Sequence, residues 1–292
     1  MKAAPFHYDA PATPGEAVGL LATHGDEAKV LAGGQSLIPL LALRLAVFER
    51  LVDVGRIDAL RGIEHRDGSV RIGAATTDAE VEHSADVRAA APLVARVTPL
   101  IGHLQIRNRG TIGGSIAHAD PAAEYPAVAV TLDADLEVLS SRGPRVVAAR
   151  DFFTGLWSTA LEPDELLVAV SFPIWTGRCG FAVEEFARRH GDYAIAGATV
   201  AVQLDDDRDV VRRCAIGLIG MSSVPVRASS AEAAAVGEAV EAVDPAEIGR
   251  LAAAEPADPP SDLHGTAGYR RRVCTAVVAR AWATAVEEAR RA

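Results

Sequence analysis

Two glycine pairs, Gly33-Gly34 in LAGGQSL (residues 31–37) and Gly113-Gly114 in RGTIGGSIAHADPAAE (residues 109–124), constrain this chain most. Paired glycines let a backbone turn its N–H groups outward and let a ligand approach where a Cβ would block it. Neither pair has a Walker lysine or the G-x-G-x-x-G spacing. Each follows an apolar segment and brings hydroxyl or amide neighbours rather than a cation. One such turn by itself is an ordinary strand–helix connection. Two of them suit a diphosphate, whose charges backbone N–H groups and helix N-termini can balance without Lys or Arg. The expectation is two loops clamping one pyrophosphate.

The 292 residues point to two or three compact units. A formal charge of −10 excludes a nucleic-acid surface, which needs a Lys/Arg-rich face. Cys179, Cys214 and Cys274 are far apart, too few for a four-thiolate metal site, and suit reduced thiols of a cytoplasmic protein. The start, MKAAPFHYDAPATPGEA, lacks a signal-peptide apolar stretch, and no run approaches the ~18 apolar residues of a membrane span.

Thr13-Pro14-Gly15-Glu16 reads as a helix start, with Thr13 as cap and Glu16 placed for a capping box. A helix over 17–24, a strand over 28–32, a turn over 33–36, a helix over 37–45 and a strand over 50–54 make a small α/β unit. A second unit has a strand over 69–74, apolar helices to about 101 and an irregular stretch over 103–124. A helix over 125–133 and strands over 136–140, 146–149 and 166–172 complete it. Long segments over 181–188, 194–204 and 210–219 predict an antiparallel sheet. Helices follow from about 226, after Pro245, and over 266–291. The expected domains are therefore 1–54, 55–175 and 176–292.

Other chemistries fit poorly. His118, Asp120 and Glu124 lack the regular spacing of zinc ligands, and the eight histidines are scattered. Ser36 or Ser115 beside His118 lacks the G-x-S-x-G of a nucleophile elbow. Asp120-Pro121 reads instead as a helix start capped by Asp120.

KVLAGGQSL (29–37), QIRNRGTIGGS (105–115) and GDY (191–193) together resemble the FAD-binding medium subunit of the molybdenum hydroxylases, the group of carbon monoxide and xanthine dehydrogenases. Leu263-His264-Gly265 and Tyr269-Arg270-Arg271 extend the resemblance to the C-terminal segment. It implies an α+β, vanillyl-alcohol-oxidase/p-cresol-methylhydroxylase-type FAD fold of two α+β subdomains, followed by an antiparallel sheet with helices. It assigns Ala32, Gly33, Gly34, Gln35, Ser36 and Leu37 to the pyrophosphate, with Thr111, Gly113, Gly114 and Ser115 gripping it from the other side. Glu124 would accept hydrogen bonds from a ribose or ribityl hydroxyl. Leu167 would lie near the adenine or ring end, and Tyr193 near the isoalloxazine. No residue is expected to act catalytically on a substrate or to bind metal.

Glu184-Glu185-Phe186 departs from the basic residue that relatives commonly place before Ala187-Arg188-Arg189. A carboxylate close to the ring would disfavour anionic reduced flavin; otherwise Glu185 faces solvent. The resemblance further implies an iron–sulfur small subunit and a molybdopterin large subunit as partners, as a dimer of heterotrimers. Electrons would pass from the partners' [2Fe–2S] clusters through FAD to an external acceptor. Arg107, Asn108 and Arg109 are candidate interface residues. A self-contained FAD oxidoreductase of the same fold and a nucleotide-binding regulatory module are the alternatives.

Overall fold

The computed structural model describes residues 2–292. Thr13 opens helix α1 (Pro14–His24), its hydroxyl accepting the Glu16 N–H at 3.2 Å. Glu16 does not close a capping box, because its carboxylate accepts the N–H of Ala12 at 2.8 Å instead. The α1 face of Ala17, Val18 and Leu21 covers a parallel sheet of β1 (His7–Asp9), β2 (Ala28–Leu31) and β3 (Arg50–Asp53), with β3 in the middle. Helix α2 (Leu37–Ala42) follows the first glycine pair and stops short of Leu45, where Arg44 takes a left-handed φ of 57°.

The core under α1 is not closed by this unit alone. Ile57, Leu60, Ala75 and Leu166, from the next stretch of chain, are buried in the same cluster. That stretch builds an antiparallel sheet from β4 (Ile63–Arg66), β5 (Ser69–Gly73), β6 (Asp135–Ser140) and β7 (Gly143–Ala148). A small hairpin, β8 (Phe153–Gly155) and β9 (Ser158–Thr159), leads to β10 (Leu166–Pro173), which inserts between β5 and β6 to give the order β4-β5-β10-β6-β7. Between β5 and β6 lie α3 (Asp78–His83), α4 (Ala85–Ala90), α5 (Pro92–Val97), α6 (Leu104–Arg107), α7 (Ile112–His118) and α8 (Glu124–Thr131); α9 (Ala149–Phe152) follows β7. Thr77 and Glu80 form the capping box of α3.

Two expectations change here. The stretch over 103–124 contains α6, a single turn too short to show a period, and α7, whose glycine pair hides it. Asp120 is not the cap of α8; Ala123 precedes that helix, and Asp120 Oδ1 accepts the Ala122 N–H at 2.9 Å in a turn of its own.

The C-terminal part is an antiparallel sheet of β11 (Cys179–Phe186), β12 (Ala196–Leu204), β13 (Val211–Ile219) and β14 (Val226–Arg227). The helix expected from about 226 begins later, as α10 (Ser229–Ala235), because Val226-Arg227 pairs with β13. The 25-residue α12 (Ala267–Arg291) covers the sheet, and α11 (Pro245–Ala254) packs on α12 and α10. The fit of α12 on β11 is backbone-close: a Cβ on Gly180 would lie 1.8 Å from the Ala285 carbonyl oxygen. Helix α8 seats on this sheet too. A Cβ on Gly217 would lie 2.0 Å from Thr131 Oγ1, which sits 2.7 Å from Thr199 Oγ1. Glu124 is thus placed by a helix wedged between two parts of the molecule.

Candidate functional site: the paired glycine loops

The two glycine loops are in contact. A Cβ on Gly33 would lie 2.2 Å from the Arg109 carbonyl oxygen and 2.7 Å from Gly110 Cα, so residue 33 must be glycine for the second loop to pack against the first. Gly34 has φ 73°, left-handed backbone that glycine adopts without strain. Through this turn the N–H groups of Gly33, Gly34, Gln35, Ser36 and Leu37 find no hydrogen-bond acceptor among the described residues. All five residues are partly exposed. Successive unsatisfied N–H groups in a turn form a concave anion site.

The second loop differs in what it offers. Thr111 caps α7, its Oγ1 accepting the Gly114 N–H at 3.0 Å. The Ile112 N–H donates to the Thr76 carbonyl, Gly113 to Ala74 and Ser115 to Thr111. These donors are used inside the protein, so this loop backs the first rather than mirroring it. Gly113 is glycine for packing, since a Cβ there would lie 2.4 Å from the Ala74 Cβ. Gly114 and Ser115 are half-buried beside Ala32, 3.4 Å from a Cβ at 114.

Beside Ser36 of the open turn lies Tyr193, with Asp120 and Glu124 near it and Glu185 near Glu124. Tyr193 is 55% exposed overall. Its hydroxyl end is nonetheless desolvated, which raises its pKa; Asp120 adds to the rise and the Ser36 hydroxyl opposes it. Glu124, 5% exposed at the start of α8, has its pKa raised to about 8, first by burial and then by Glu185. A carboxyl that is neutral at pH 7 can donate a hydrogen bond as well as accept one. Glu185 is half-buried, and burial raises its pKa to about 7; its Oε2 is buried with no partner. It therefore belongs to the interior of this cluster rather than simply to solvent.

Leu167 lies in the core of the five-stranded sheet, 5% exposed. Its neighbour Val168 accepts the Ala74 N–H, and Ala74 accepts that of Gly113. Of the three candidate interface residues, Asn108 and Arg109 are exposed. Arg107 turns inward, donating to Glu82 at 2.7 Å and to the Ile101 carbonyl at 3.2 Å. Sequence reasoning missed Trp157, which is 61% exposed at a φ of 53°. Its indole N–H donates to Asp120 Oδ2 at 3.2 Å and its ring stacks on His118. A tryptophan in a hairpin turn was the only signal. His118 has a lowered pKa, mainly from burial. Among the described residues no cluster of His, Cys, Asp and Glu could hold a metal ion, and no helix is long and apolar enough to cross a membrane.

The family model for the FAD binding domain in molybdopterin dehydrogenase matches residues 4–175, and that for the CO dehydrogenase flavoprotein C-terminal domain matches residues 181–285. The chain belongs to this flavoprotein family. Subunit alpha of the 6-hydroxypseudooxynicotine dehydrogenase complex of Paenarthrobacter nicotinovorans is 39% identical over 290 residues, 99% of this chain and 97% of that protein. The carbon monoxide dehydrogenase medium chain of Hydrogenophaga pseudoflava is 38% identical, over 94% of this chain and 95% of that one. In three dimensions the flavoprotein matches a chain of reconstituted CO dehydrogenase from Oligotropha carboxidovorans with a TM-score of 0.95 at 37% identity, covering 99% of this chain and 100% of that one. The flavoprotein has the expected fold, an FAD-binding part followed by an antiparallel sheet with helices. It is an oxidoreductase subunit, and FAD is its cofactor.

Proposed function

We propose that the flavoprotein is the electron-relay medium subunit of a heteromeric molybdenum hydroxylase, and that its FAD pyrophosphate lies in the turn over 33–37. One observation carries the placement: five consecutive N–H groups without protein acceptors, turned outward by left-handed Gly34. The cradle fits a diphosphate, which these donors can hold without a cation.

In this reading Ala32 to Leu37 hold the pyrophosphate, while Thr111, Gly113, Gly114 and Ser115 form the wall behind it. That wall keeps the turn in shape because Gly33 and Arg109 touch through backbone. Glu124 meets a ribose or ribityl hydroxyl as a neutral acid. Leu167 shapes the apolar floor toward the adenine or ring end. Tyr193 screens the isoalloxazine edge, its hydroxyl set by Ser36. No side chain here performs nucleophilic or acid–base work on the substrate. The chemistry supplied by bound FAD is two-electron exchange between the partners' [2Fe–2S] clusters and an external acceptor. The partners are an iron–sulfur small subunit and a molybdopterin large subunit in a dimer of heterotrimers, with the domain divisions at 54 and 175. Support comes from the relatives, which are named as subunits or chains of dehydrogenases. The three separated, buried thiols support a reducing, cytoplasmic setting.

The test is to purify the chain alone and co-expressed with its neighbouring reading frames. Flavin absorption bands in both, with substrate bleaching them only in the complex, are expected. A chain that turns over a substrate by itself at full rate would overturn the relay reading.

A further inference from the structure

We propose that Arg270 is a positioning residue: from the C-terminal helix it fixes the Tyr193 and Asp120 side of the cofactor site. The proposal rests on the FAD placement above. Arg270 is 4% exposed, near the start of α12. Its Nη1 donates to the carbonyl of Ile195 and, at 3.2 Å, to that of Gly220; its Nη2 donates to Asp262 Oδ2 at 2.7 Å. Asp262 is itself held, since its Oδ1 accepts the N–H groups of His264 at 2.8 Å and Gly265 at 3.2 Å. The Asp262–Gly265 turn and the Tyr269-Arg270 pair thus form one device, which the FAD reading leaves without a role.

What the device grips is the flank of the site. Ile195 is two residues beyond Tyr193. Gly220 donates its N–H to the Pro121 carbonyl at 2.8 Å, and Pro121 is the residue after Asp120. Gly220, at φ 71°, lies so close to the β12 entry that a Cβ would be 3.0 Å from the Ala194 carbonyl oxygen. One guanidinium therefore locks the Tyr193 segment to the Asp120 segment, and of the two Tyr193 is the one beside Ser36 of the cradle. A planar fork reaches two carbonyls and a carboxylate together, which a lysine ammonium cannot reproduce in the same geometry. Arg270 touches the site only through these backbones.

The experiment compares the wild-type full chain with Arg270→Met, Arg270→Lys and Asp262→Asn, using Arg71→Met as a control that breaks the Arg71–Glu137 pair in the five-stranded sheet. Amide hydrogen exchange on the apo chains should speed up by about tenfold or more over 119–124 and 191–197, with 33–37 and the control at wild-type rates. After FAD loading, fluorescence per bound flavin should rise in the Arg270 and Asp262 variants, because a tyrosine held against the ring quenches it. If Arg270→Met does not fold, Arg270→Lys decides, since an ammonium keeps the charge but cannot hold both carbonyls and the carboxylate in the geometry of the fork. Wild-type exchange over both segments, with only a lower melting temperature, would overturn the proposal. A wild-type chain that fails to take up FAD would remove the cofactor placement and leave the exchange result to judge Arg270 on its own.

Discussion

The Cα of Gly33 has no room for a side chain, because a Cβ there would lie 2.2 Å from the Arg109 carbonyl oxygen. Through this contact the two glycine loops become one body. The first offers N–H groups to the outside; the second uses its own inside the protein and holds the first in shape.

Gly33→Ala should therefore weaken cofactor binding by spoiling the fit between loops rather than by blocking the ligand. Overpacking against rigid backbone costs about 1–3 kcal/mol. The melting temperature of the apo chain should fall along with FAD occupancy, as read by differential scanning fluorimetry and absorbance. An unchanged apo melting temperature would contradict the loop contact.

Gly34→Ala acts at a different point. The added methyl forces a non-glycine residue into φ 73°, at a cost of roughly 1–2 kcal/mol in the turn itself. FAD affinity should drop by about tenfold in a fluorescence titration. Gly34→Val and Gly114→Val, with branched side chains, should lose the flavin while the far-ultraviolet circular dichroism stays native; full occupancy in both would remove the cradle.

Tyr193→Ala should leave FAD bound, because the N–H donors over 33–37 are untouched. The exposed ring edge should then react with oxygen at a changed rate, measured by stopped-flow reoxidation after photoreduction. Tyr193→Phe keeps the ring and loses the contact with Ser36, so it should fall between the two. An unaltered spectrum and rate in the alanine variant would return Tyr193 to a structural role.

Glu124 makes stability depend on pH with a definite sign. Its folded pKa of about 8 lies above the ordinary carboxylate value, so the folded state holds a proton that the unfolded chain releases. Its contribution is intact below about pH 4.5 and is lost as pH rises toward 8, by on the order of 3–5 kcal/mol when complete. Glu124→Gln, which cannot ionise, should flatten that decline and raise the apo melting temperature at pH 8 far more than at pH 5. Parallel pH curves for the two proteins would mean that Glu124 is ionised in the fold.

Local chemistry alone determined much of this protein. Thr13 had to cap a helix, Gly34 had to turn the chain, and the alternating runs ending at Leu204 and Ile219 had to pair, because these are short-range matters of dihedral angle, hydrogen bonding and burial period. The two glycine motifs and Gly191-Asp192-Tyr193 were enough to identify the flavoprotein family. The different roles of the loops were not legible. Whether the N–H groups of Ile112 and Gly113 are free depends on Thr76 and Ala74, just past a strand end some 40 residues upstream, whereas Gly114 and Ser115 bond back to Thr111. Asp120 looked like a cap until Ala123 proved to precede the helix, since a one-turn shift leaves the sequence signal unchanged. Glu185 on β11 and Glu124 on α8 are 61 positions apart, and only the packing of that helix on the C-terminal sheet brings two desolvated carboxyls together. Arg270 carries the same lesson. Its type was visible in the sequence, but a buried guanidinium takes its partners from whichever carbonyls the tertiary fold leaves unpaired, and those lie 75 and 50 residues away.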